Sequence, residues 1–219
     1  MAKFNVNSNV YIIIYSVVMV VIVAVLLSVA SLSLQERQGE NILNEKKQQI
    51  VKALGEDPMT ASYADVVAEA VMLDKNGNKI EGKNETDIFN ALGDLTASFE
   101  AGEFPILKAA NGCVVIPVYG AGLWGPVWGY IALESDMNTV KGIVMDHSGE
   151  TPGLGTKADT WFQEGGKGCI IGMNPEKNNM TVTKDGGEVD AITAATISTR
   201  AFCDAIDRAY KAFKNGGAE

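Results

Sequence analysis

Residues 113–145 read CVVIPVYGAGLWGPVWGYIALESDMNTVKGIVM. Three apolar, β-prone runs lie in this stretch: Cys113–Tyr119, Val127–Leu133 and Thr139–Met145. A Gly-rich loop and the turn Asp136-Met137-Asn138 separate them. Connections this short join neighbouring antiparallel strands, because a parallel crossover needs a dozen residues or more. The spacing therefore predicts an antiparallel meander. Upstream, Val66–Leu73 is a further β-prone run. It ends in Asp74-Lys75-Asn76-Gly77-Asn78, and Asn-Gly is a strong hairpin signal. Helical spacing flanks the strands. Ile88, Leu92 and Leu95 fall on one side of a helix over 86–99. Phe202, Ile206, Tyr210 and Phe213 form the core-facing stripe of a helix over 199–214, which Gly216-Gly217 ends. Residues 184–197 read as short strand and turn. No internal repeat is visible. The fold class expected is α+β, an antiparallel sheet with packed helices.

Towards the amino terminus the pattern changes. No charged residue occurs from Phe4 to Gln35, and Val10–Leu34 reads VYIIIYSVVMVVIVAVLLSVASLSL. A spanning helix needs about 20 mostly apolar residues, whereas the apolar core of a cleaved signal is about 7–15. The run therefore predicts one transmembrane helix. Its orientation is left open by charge: Lys3 precedes it, and Arg37, Lys46 and Lys47 follow. Beyond it, Leu43, Ile50 and Leu54 mark an amphipathic stalk, and Pro58 closes that segment. The expected organisation is a tail over 1–9, a transmembrane helix over 10–34, a stalk over 35–57 and a soluble domain over 58–219.

Composition excludes several classes of function. The chain has 219 residues, with 18 Lys plus Arg against 27 Asp plus Glu, a formal net charge of −9. A nucleic-acid binder needs a basic face, so no nucleic-acid partner is expected. One histidine and three scattered cysteines argue against a metal centre held by this chain alone. Neither a metal ligand nor a catalytic residue is assigned.

Three segments carry candidate chemistry. Gly120–Tyr130 is a rigid Gly/Pro loop with Trp124 at its tip. It serves either as a packed hairpin or as an apolar wall for a flat ligand. His147–Gly155 places Glu150 and Thr151 before Pro152-Gly153-Leu154-Gly155, a loop suited to ligand binding or simply a connection. His147 reads as structural. The third segment, Asp190–Thr199 (DAITAATIST), is rich in hydroxyls and small side chains and precedes the last helix. Capping by Ser198 or Thr199 explains one or two hydroxyls, but not Thr196 beside alanines. A helix N-terminus next to Thr196 would support a phosphoester there.

The Asp190–Thr199 segment resembles the flavinylation motif of FMN-binding domains. Together with Glu150–Gly155 and Gly122–Tyr130, it makes the whole chain similar to the C-type subunits of sodium-translocating NADH:quinone oxidoreductases. The related G-type subunits of Rnf electron-transport complexes share the first two motifs but usually lack the tryptophan-rich run. The resemblance implies FMN joined by a phosphoester to Thr196. Thr193, Ala194, Ala195 and Ser198 would lie around the attachment, with Glu150, Thr151, Gly153, Leu154, Gly155 and Trp124 at the cofactor. It also implies single-electron relay within a complex, without activity of the chain alone. The implied partners are the other members of the complex, especially the flavin-bearing B-type subunit, and a flavin transferase for maturation. The implied location is the bacterial inner membrane, with one pass and the soluble domain on the extracytoplasmic side. The other class of reading is a membrane-anchored binding module without covalent cofactor. One position departs from the motif: residue 194 is Ala where Gly is usual. If the backbone there takes positive φ, Ala costs roughly 1–2 kcal/mol and slows recognition by the transferase.

Overall fold

The computed structural model describes residues 8–182 and 187–217. The chain divides into two compact units, one ending at Glu45 and one beginning at Lys46. A helix, α1 (Asn9–Ala53), passes from the first into the second. In the first unit its apolar side chains are largely exposed from Val10 to Leu34. Among the described residues it is the one helix long and apolar enough to cross a membrane. At 1.5 Å per residue, residues 10–34 reach about 37 Å, enough for a hydrocarbon layer of about 30 Å.

The second unit is built on a five-stranded sheet, β1 (Val67–Leu73), β2 (Phe104–Ala109), β3 (Val114–Ala121), β4 (Pro126–Leu133) and β5 (Val140–His147). The spatial order is β1-β2-β3-β4-β5 and every pair is antiparallel. The meander read from residues 113–145 is β3, β4 and β5. Both faces are covered. On one face Ile116, Val118 and Ile131 pack with Phe202, Ile206 and Tyr210 of α6 (Thr196–Gly217). On the other, Leu107, Val115 and Tyr130 meet Ile50 of α1 and Leu54 just after it, with Ile88 and Phe89 of α3 (Glu85–Ala91). Burial on both faces is why residues 113–119 read as a continuous apolar run instead of an alternation. Each fully buried aliphatic or Phe side chain here contributes roughly 1.5–3 kcal/mol.

The structure departs from the sequence reading in four places. Strand β2 was not expected; Phe104-Pro-Ile-Leu-Lys-Ala109 is short and carries a proline, yet it pairs with β1 along its length. The helix over 86–99 is two helices, α3 and α4 (Leu95–Glu100), after the short α2 (Tyr63–Val66). The break falls at Gly93-Asp94, where the Asp94 carboxylate accepts from Ala97 N and starts a new helix. Strand was expected within 184–197, of which 184–186 lie outside the described residues. Over 187–195 the chain is bend and turn, with no strand. Finally, α6 starts at Thr196, three residues before the expected start. A turn in the backbone at residues 192–195, described below, sets that start.

Candidate cofactor site

The three candidate segments converge on one carboxylate. The β3–β4 hairpin closes around Gly122–Gly125, with Gly122 N donating to Gly125 O at 2.8 Å. Next to it, Ser148 N donates to Pro126 O at 3.1 Å, so the segment after β5 lies along the hairpin. Glu150 then turns inward and is only 5% exposed. Leu123 N donates to its Oε1 at 3.0 Å, and Ser198 Oγ donates to its Oε2 at 2.7 Å. One side chain thus joins the hairpin tip, the 150–155 loop and the first turn of α6. Two glycines permit this. A Cβ on Gly122 would lie 2.8 Å from Glu150 Oε1, and one on Gly155 would lie 2.9 Å from Glu150 Cβ. Among the described residues no Lys or Arg forms an ion pair with Glu150.

The loop after Glu150 is a tight turn. Leu154 N donates to Thr151 O at 3.0 Å, with Pro152 and then Gly153 at φ +75° in the middle. That is the residue pattern of a type II turn. Thr151 is exposed, and Leu154 packs partly against the main core. The 3₁₀ turn Gly155–Lys157 and α5 (Ala158–Trp161) follow. Trp161 Nε1 donates to Asp190 O at 2.7 Å and anchors the next segment.

In that segment Ala195 N donates to Ile192 O at 2.8 Å, closing a turn with Ala194 at φ +62°. This conformation is costly for any residue with a Cβ, and it answers the conditional placed on position 194. Thr199 is fully buried. Its Oγ1 accepts from Ile192 N at 3.0 Å and donates to Ala195 O at 2.9 Å, holding the turn against the helix. Ser198 and Thr199 are therefore not N-caps, because both hydroxyls are spent elsewhere. Ala195, next to the helix start, has no side chain that could cap. The N–H groups of Thr196, Ile197 and Ser198 have no partner among the described residues, and neither do the hydroxyls of Thr193 and Thr196. Thr193 is exposed and Thr196 half-buried.

The elements joined through Glu150 carry exposed apolar side chains. Trp124 is 67% exposed, which removes the reading of it as a core tryptophan, and Leu123 and Ile197 are also exposed. A groove along the outer face of α6 is lined by Ala121, Ile197, Arg200, Asp204 and Arg208. The sequence reading passed over Ile197, Arg200 and Arg208. Their signal was the face of α6 opposite the Phe202 stripe. His147, expected to be structural, ends β5 beside these loops, and its Nδ1 is buried without a partner among the described residues.

These features fit a flavin mononucleotide. Free N–H groups at the start of a 22-residue helix suit its phosphate, and exposed apolar side chains beside a groove suit its ring. The comparisons with known proteins agree. The FMN-binding domain family matches residues 122–211. The C-type subunit of the Na(+)-translocating NADH-quinone reductase of Vibrio vulnificus is 28% identical over 209 residues, covering 80% of both chains. Its counterpart in Chlamydia trachomatis is 48% identical over 119 residues, 44% of this chain and 36% of that one. The crystal structure of the C-type subunit from Parabacteroides distasonis superposes with a TM-score of 0.66 at 26% identity, covering 85% of this chain and 98% of that one. Residues 122–211 thus carry an FMN-binding domain, and the chain as a whole is similar in sequence and fold to the C-type subunits of Na(+)-translocating NADH-quinone reductases.

Proposed function

We propose that this chain is a redox subunit of a membrane NADH-quinone reductase that moves sodium ions, and that it holds FMN as a phosphoester on Thr196. One observation carries the attachment site. Of the three hydroxyls in the first turn of α6, those of Ser198 and Thr199 are engaged, and that of Thr196 is not. Attachment joins the Thr196 oxygen to the phosphorus of an activated flavin nucleotide. The nucleotide's leaving group departs and takes up the hydroxyl proton. The N–H groups of Thr196, Ile197 and Ser198 and the positive end of α6 then hold the phosphate charge. Bound FMN supplies one-electron chemistry between obligate two-electron and one-electron partners. The chain supplies orientation. Trp124, Leu123 and Ile197 offer apolar surface to the ring, and the turn over 151–154 bounds the same region. The electron acceptor in this reading is the flavin-bearing B-type subunit, and a flavin transferase loads the chain.

The test is a denaturing gel of the full chain, co-expressed with a flavin transferase and viewed under ultraviolet light. A fluorescent band that vanishes in Thr196→Ala, with peptide mass mapping to Thr196 in the parent, supports the reading. A dark parent band points to a binding module without covalent cofactor. Flavin mapped to Thr193, Ser198 or Thr199 would sink the site.

Location follows from the same reading. Residues 10–34 cross the bacterial inner membrane once, and the domain faces the extracytoplasmic side. Protease added outside spheroplasts is expected to remove the domain beyond Leu34. Protection until the membrane is permeabilised would place it in the cytoplasm.

A further inference from the structure

Glu150 is an unusual residue to bury. The residue is 5% exposed, and its carboxylate pairs with no cation among the described residues and accepts from one peptide N–H and one hydroxyl. Such a charge is expensive to desolvate, and a neutral amide could span the same gap. Both oxygens are used inside the protein, so Glu150 acts through the groups it holds. One of these is Leu123 N, next to Trp124. The other is Ser198 Oγ, two residues after Thr196 and an alcohol of the same kind.

We propose that Glu150 is a positioning residue that ties the tryptophan loop to the start of α6 and withdraws Ser198 from competition as a phosphate acceptor. This rests on the reading of Thr196 as the attachment site. A carboxylate only accepts hydrogen bonds, so Ser198 must donate its proton to it. An acceptor hydroxyl has to lose that proton, and a second negative charge beside Glu150 opposes the loss. Glutamine would reverse the arrangement. Its Oε1 could still accept from Leu123 N, while its Nε2 would donate to Ser198 Oγ and free the serine proton. The charge thus accounts for what the amide could not: it keeps Ser198 inert while the loop stays latched. Thr199 is withdrawn separately, by Ile192 N and Ala195 O.

The experiment uses the full chain with Glu150→Ala and Glu150→Gln, each made with and without co-expressed flavin transferase. Thermal melts of the unflavinylated chains confirm folding. In the unflavinylated chain, hydrogen exchange over 121–126 is expected to rise at least tenfold in Glu150→Ala. In Glu150→Gln it should stay within about threefold of the parent. In the loaded chains, peptide mapping is expected to find flavin on Ser198 in both variants, at the expense of Thr196. Flavin confined to Thr196 at parental occupancy in both variants would overturn the withdrawal of Ser198. Unchanged exchange over 121–126 in Glu150→Ala would overturn the latch. The exchange measurement needs no flavin, so it stands even if the parent proves to carry flavin elsewhere than Thr196. That result would fail the site reading and leave the latch tested on its own.

Discussion

Helices α3 and α6 begin in opposite ways. At α3 the chain spends its polar side chains on the helix itself. Asn84 Oδ1 accepts from Asp87 N at 3.1 Å, and Asp87 Oδ2 accepts from Asn84 N at 2.9 Å, a closed capping box. At α6 the chain has more hydroxyls within reach and uses none as a cap. Ser198 serves Glu150, Thr199 serves the preceding turn, and Ala194 and Ala195 stand where a capping side chain would. The entry into α6 even passes through a left-handed alanine. A capped start is stable and closed to ligands. An uncapped start on a long, well-packed helix keeps its N–H groups for something else, and an anion is what those groups favour.

The largest way to break this contrast is to remove the hydroxyl left free. Thr196→Ala is expected to abolish covalent flavin and to change unfolding free energy by less than about 0.5 kcal/mol, as for a substitution that touches no packed feature. Flavin content and the thermal midpoint, measured on one preparation, separate the two effects. A large fall in midpoint would mean that Thr196 is structural. Next in size is Thr199→Val. It keeps the buried shape but leaves Ile192 N without its acceptor, which costs about 2 kcal/mol. For a unit of this size that corresponds to about 6 °C in thermal midpoint. Thr199→Ser should recover most of it. No shift in Thr199→Val would show that the turn over 192–195 stands without its side-chain clamp.

The two helix starts also differ in how legible they were. Asn84 lies three residues before Asp87, a local pattern, although the sequence reading began the helix at 86 and ran it through Gly93. The helix over 199–214 was read from its apolar stripe, which packs in the core as expected. Its true start was missed, because Ser198 and Thr199 look like caps in sequence. What diverts Ser198 is Glu150, 48 residues away along the chain, and no local rule encodes that distance. The sheet was legible where its strands were joined by short turns. It was not legible at β2, a short run with Pro105 at its second position, whose strand character comes from pairing with β1. The candidate segments were marked individually by their glycines and hydroxyls. Their meeting at one carboxylate is a tertiary fact. Trp124 was weighed as core or ligand wall, and only its exposure decides between them.

The smallest effects sharpen the contrast most, because the two helix starts should answer in opposite directions. Asn84→Ala removes a working cap and should lower stability by about 1 kcal/mol, or about 3 °C in midpoint. Ala194→Gly removes a Cβ from a residue at φ +62°. Relief of left-handed strain contributes roughly 1–2 kcal/mol, and the greater freedom of glycine in the unfolded chain takes back about 0.4–1 kcal/mol. The net expectation is a gain between about 0 and 1.6 kcal/mol, centred near 0.8 kcal/mol, or roughly 2 °C in midpoint. The same substitution restores the residue usual in flavinylation motifs, so loading by the transferase should quicken at fixed enzyme. The two readouts are independent. A higher midpoint with unchanged loading would mean that the strain at Ala194 is borne by the fold alone. Faster loading with an unchanged midpoint would mean that the transferase reads the side chain at 194 directly. A lower midpoint would mean that the turn over 192–195 relies on the Ala194 methyl, and that its positive φ stores no strain for the start of α6.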